Sequence, residues 1–160
     1  MKSLIRNNTQ IYFLVFIAII AIVPFLKNQF IVGPIVNAVL LASVISLGVF
    51  QAVFFAVLPS VVSFLSGLLP VSFAFMLPFI AISNILLVTT FGAFYKRGYW
   101  KSAILASFLK FFFLFGSVLV FLWANSSNMN ANKLLAMFGY LQLFSALMGS
   151  LIVGVFRKIF

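Results

Sequence analysis

From Ile11 to Leu26 the chain is apolar at almost every position, and the run stops at KNQF (27–30). Gln29 through Tyr95 then contains no charged residue. At about 20 residues per crossing, that length suits three membrane spans; two would average about 33 residues, more than tilt absorbs. Gly, Pro and Ser mark the predicted breaks at GVFQ (48–51) and SGLLPVS (66–72). YKRGYWK (95–101) closes the fourth span with basic and interfacial aromatic residues, and the polar NSSNMNANK (125–133) separates the last two. The pattern predicts spans at 11–26, 31–49, 52–68, 73–94, 102–124 and 134–156. This is an all-α integral membrane protein, a six-transmembrane-helix bundle in a single domain over residues 1–160.

Composition strengthens this reading. The chain is 66% hydrophobic and 6% charged, where a soluble domain carries about 25% charged residues. Uninterrupted apolar runs exclude the apolar–polar alternation of a membrane β-barrel. The N-terminal MKSLIRNN begins like a signal peptide, but bulky AIVPFLKNQF offers no small-residue cleavage site. Residues 11–26 are therefore expected to stay as the first span.

A net charge of +10 would suggest nucleic acid in a soluble protein. Here the cations sit between apolar runs, so they read as topology signals and nucleic acid is not expected. Six spans put Lys2, Arg6, Lys96, Arg97, Lys101, Arg157 and Lys158 on one side, and only Lys27 and Lys133 on the other. By the positive-inside rule both termini are cytoplasmic. Two or four spans within 29–95 would spoil the asymmetry. The expected location is a bacterial cell membrane, with the lipid bilayer as first partner.

Lys110 is the tenth cation, and it lies inside the fifth span in SFLKFFF. The chain has no Asp, Glu, His or Cys. That leaves no internal counter-charge, no disulfide or iron–sulfur ligand, and no donor set for a metal. From the predicted span ends, at about 1.5 Å per residue, Lys110 and Gln142 lie about 12 Å deep and Asn84 about 15 Å deep. Asn37 comes out shallower, about 6 Å from the outer face. A lysine at mid-membrane costs about 2.5–3.5 kcal/mol on insertion scales, so such residues mark pathways or sites. Two readings stand. Lys110 snorkels toward the cytoplasmic interface, or it faces a polar cavity with Asn84 and Gln142 and meets an anionic or carbonyl-bearing ligand. Asn84 and Gln142 could instead only join helices, and Asn37 could only pin the second span.

Other patterns carry less. Ala38/Ala42, Ala52/Ala56, Ser145/Gly149 and Ser150/Gly154 are small residues at contact spacing, expected to pack the protein's own helices. Pro59 and Pro78 predict kinks within spans. The 23 phenylalanines face lipid or fill the packing. SFLK (107–110) matches S-x-x-K, but its companion motifs are missing. NNT (7–9) and NSS (125–127) are sequons that matter only in a eukaryotic secretory pathway. No catalytic set and no cofactor motif remain, so an enzyme is not expected.

GPIVNAVLLASVISLGVFQAVFFAVLPSVVSFLSGLLP, followed by FMLPFIAISNILLV, occupies residues 33–88. With its Pro34-Ile-Val-Asn37 opening, its turn at Gly48, the end of the third span at Gly67 and Pro70, and LPFIAISN in the fourth, it resembles the substrate-binding S components of energy-coupling factor (ECF) transporters. The resemblance implies a six-helix protein that captures a vitamin-like micronutrient or a metal cation from outside. It implies partners too: a transmembrane coupling subunit and two ATPase subunits. This chain has no phosphate-binding loop of its own. The candidate substrate contacts remain the polar residues within the spans, Asn84, Lys110, Gln142 and Asn37; the resemblance adds a partner-helix contact, for which the first span offers Ala18 and Ala21, spaced by three where the family often spaces small residues by four. The family's acidic and histidine metal ligands are missing, which disfavours cobalt and nickel. Competing expectations are a structural or assembly protein, whose polar residues only join helices, and a small channel or permease acting alone.

Overall fold

The computed structural model describes residues 2–124 and 131–157, with side-chain environments from Thr9 onward. Sequence runs this apolar satisfy their backbone groups internally, and helices do so within one segment. The described residues form helices and short turns, with no strand among them. In chain order these are α1 (Lys2–Ile22), α2 (Gln29–Leu47), α3 (Val49–Leu65), α4 (Leu77–Phe94), α5 (Tyr99–Ala124), α6 (Ala131–Phe138) and α7 (Tyr140–Phe156). Short 3-10 turns extend α1 through Leu26 and precede α4 at Val71–Met76.

Each junction has a local cause. Pro24 lies in the turn after α1, and Lys27 N–H closes it onto the Pro24 carbonyl at 3.1 Å. Asn28 then caps α2, its side-chain oxygen accepting from Phe30 N–H at 3.0 Å. Gly48 alone separates α2 from α3. Its φ of 93° and ψ of 166° lie where a Cβ is strongly disfavoured. The α3–α4 connection turns at Ser66–Pro70, where Leu69 N–H reaches back to Ser63 O at 2.9 Å.

Two expectations need correction. Pro78 does not kink a span; it sits in the first turn of α4, where its missing N–H removes nothing. The predicted last span is not one helix. It breaks at Gly139, whose ψ of −114° interrupts the α6–α7 path. Pro59 does lie inside α3.

α2 is the central helix. Its apolar window is 56% buried against 17% for α1, and every residue from Val36 to Val44 is buried. It packs on α7, α3, α1 and α4. The approach to α7 is closest: a Cβ on Gly149 would stand 2.8 Å from Ala38 N, Pro34 O and Asn37 Cβ. A Cβ on Gly33 would meet Ser145 Cβ at 2.7 Å. α5 turns one stripe inward, Tyr99, Ser102, Ala103, Ala106, Ser107, Lys110, Leu114 and Val118, the 3–4 spacing of a helix face.

Five helical stretches are long and apolar enough to cross a membrane, and α3 is a sixth, shorter apolar helix. Phe50, Leu65 and Trp123 are among many large apolar side chains on the outside. Such a surface needs lipid around it. The chain is a helical, multi-pass membrane protein.

Candidate functional site

The inward stripe of α5 delivers Lys110 to the middle of the bundle, where it is 2% exposed. Of the two courses open to it, the structure shows the inward one. Nζ donates to Asn37 Oδ1 of α2 at 2.6 Å and to Asn84 Oδ1 of α4 at 2.7 Å. Both amides are turned by their other ends. Asn37 Nδ2 donates to Gly33 O at 2.9 Å and to Ser145 Oγ of α7 at 3.1 Å. Asn84 Nδ2 donates to Ala56 O of α3 at 3.1 Å. Ala56 lies beside Phe55, whose carbonyl loses its helical donor to Pro59. Lys110 thus fastens three helices, and the asparagines extend the network to two more.

The layer differs from the expected one. Asn37 is not shallow. Capping by Asn28 starts α2 at Gln29, so Asn37 lies eight residues down, about 12 Å, level with the lysine. Gln142 does not reach Lys110. Its Nε2 donates to Met137 O at 3.3 Å, and Gln29 Nε2 donates to the same carbonyl at 2.9 Å. The break at Gly139 accounts for this: the carbonyls before an interrupted helix need other donors, and two glutamine amides meet that need.

Gln142 is nevertheless near. A cavity of about 70 Å³ is lined by the half-buried Gln29 and Gln142, which we take as its mouth, and by the buried Asn37, Asn84 and Lys110, which we take as its floor. Ser63, Ile80 and Phe138 are among the residues of its wall. A water needs roughly 10–15 Å³ by this measure, so the space holds a few waters or one small polar group. All four sequence-predicted contacts therefore line one cavity, three of them in direct hydrogen bonds. Ser145 and Gln29 were not among the expected residues. The signal for Ser145 lay in its four-residue spacing to Gly149, and the signal for Gln29 lay in its place just after a capping asparagine.

The electrostatics are unusual. With no acidic residue anywhere in the chain, both acceptors at Nζ are neutral amides. Two of the three ammonium hydrogens are used, and an ion held this deep ordinarily has an opposite charge.

Ser107 gives no hydrolase-like pair with Lys110: its hydroxyl donates to Ala103 O at 2.8 Å and lies 3.4 Å from Ser150 Oγ. Ala18 and Ala21 are both exposed on the outer face of α1, away from the cavity.

Comparison with protein-family models, curated proteins and solved structures gives no match. Fold and site together define a class: a multi-pass helical membrane protein with a polar, lysine-floored cavity sunk into the bundle between α2, α4 and α5.

Proposed function

We propose that this chain is the membrane-embedded substrate-binding subunit of an ECF-type importer, taking a vitamin-like micronutrient from the outer side. The observation that carries the reading is Lys110 on the floor of the cavity, held by Asn37 and Asn84 and given no anion by its own chain. A bundle that needed only cohesion would gain more from apolar packing than from a lone buried cation. Six spans, the last made of α6 and α7 together, cross the membrane with both termini cytoplasmic, as the basic residues of 95–101 and 157–158 favour. The cavity mouth then opens outward. Its 70 Å³ is small against the 300–1,000 Å³ of ordinary ligand pockets. Loading therefore swings α6 away at Gly139 and releases Met137 O from Gln29 and Gln142. The exposed face of α1, with Ala18 and Ala21, meets the coupling subunit, and two ATPases drive the cycle.

The test is retention of a small molecule by the purified protein, read by mass spectrometry of the extracted ligand. Lys110→Met is expected to fold and insert, yet to lower retention about tenfold or more, since a hydrogen bond to a charged group is worth about 1.5–3 kcal/mol. Equal retention in both proteins would return Lys110 to a purely structural role. No retained molecule in either would favour an assembly protein.

Orientation is checked separately with single cysteines in this cysteine-free chain. An impermeant thiol reagent on intact cells is expected to label Asn132→Cys and to spare Lys101→Cys. The opposite pattern would turn the protein over and close the outward route.

A further inference from the structure

We infer that the end of the ligand lying against Lys110 carries a single negative charge and is the size of a carboxylate. This rests on the cavity being a solute site. Hydrogen-bond accounting at the floor supports it. As an ammonium, Nζ has one N–H beyond those given to Asn37 and Asn84, and Asn84 Nδ2 has one beyond that given to Ala56 O. Asn37 Nδ2 has spent both of its own. The floor keeps these two N–H donors beside one spare lone pair on each amide oxygen, and what decides the charge it takes is a cation with no counter-ion among 160 residues. A cationic group would be repelled there. A phosphate brings more charge and more acceptor oxygens than one lysine and one amide hydrogen can meet. A carboxylate brings one charge and two oxygens, and its bulk fits the 70 Å³ cavity. Burying the ligand charge becomes favourable because the same event neutralises the protein's own. Gln29 and Gln142 at the mouth give the far end of the ligand a polar setting, so the source is an aqueous carboxylate and not a lipid acid.

The experiment is equilibrium dialysis of the purified full chain against radiolabelled hexanoate and, in parallel, hexanamide, which keeps the shape and loses the charge. Saturable binding is expected, with hexanoate preferred by about tenfold or more. Lys110→Met should erase the preference. Asn84→Asp should erase it too, by placing a carboxylate of the protein's own at the position now 2.7 Å from Nζ. The two variants remove the same preference by different means, one deleting the cation and the other neutralising it in place, which no general loss of folding would do selectively. Equal binding of amide and acid overturns the charge assignment and leaves the solute-binding role standing. So does an unchanged preference in Asn84→Asp. Retention of a neutral molecule by the wild type, with no binding of hexanoate at millimolar concentration, also sinks the assignment alone. No retained molecule and no binding of either probe sinks both.

Discussion

Gly149→Leu is expected to leave little folded protein in the membrane. A side chain there begins with a Cβ 2.8 Å from Ala38 N, Pro34 O and Asn37 Cβ. Two of those atoms are main chain of the central helix and cannot turn aside. Overpacking in a rigid interior typically costs about 1–3 kcal/mol, and more where backbone must move. Leucine forces α7 off α2, along the longest-packed helix pair in the bundle. The displacement also carries Asn37 away from Lys110, so the loss of packing is joined by the loss of a buried acceptor. Against a net stability of about 5–15 kcal/mol for a typical domain, that combination is severe. Gly116→Leu is the control, since nothing lies within 4 Å of its added Cβ. The measurement is the yield of monodisperse protein and its unfolding temperature in one detergent. Equal behaviour of the two variants would mean that α2 and α7 do not approach so closely.

The second large effect is a rescue. Asn37→Leu takes one of two acceptors from a buried lysine, at about 1–3 kcal/mol for an unsatisfied buried group and more when it is charged, while Ser145 Oγ keeps its bond to Gln142 O. Lys110→Met removes the need for that acceptor. The double variant is therefore expected to be more stable than Asn37→Leu alone, because replacing both partners by apolar groups is often close to neutral. Coupling of about 0.5–3 kcal/mol is the range for residues in contact. Thermal unfolding of the four proteins reads it directly. Strict additivity would place Nζ somewhere other than on Asn37.

How far the chain could be read in advance follows from what its apolar residues can signal. Run lengths and the glycine at 48 are enough to show the order of the apolar helices and the junction between α2 and α3, though not that α1 starts as early as Lys2. They say little about which helix is central, because α2 and α4 are apolar on every side and periodicity is silent where no face is polar. The inward course of Lys110 was legible in the small residues Ser102, Ala103, Ala106 and Ser107, which share its stripe. The earlier start of α2, to which the capping type of Asn28 was the clue, moves Asn37 by about 3 Å; the rest of its level shows only in its hydrogen bond to Lys110. Gln142 was a different case. Whether its amide serves the lysine or a backbone carbonyl depends on the break at Gly139. At that break a Cβ would collide with Leu135 O of the preceding turn, so the path needs glycine there, and a single glycine in an apolar run does not announce it.

The order in which the network's members occur along the chain has a bearing on biosynthesis. Asn37 and Asn84 both precede Lys110 in sequence, and a nascent chain is released from its N-terminus onward. When α5 leaves the ribosome, the amide oxygens that receive its ammonium have already been made. The lysine passes into a membrane that holds its acceptors, and the most difficult residue to insert comes after the ones that ease its passage. Ser145, which steadies Asn37 without touching the lysine, can arrive last.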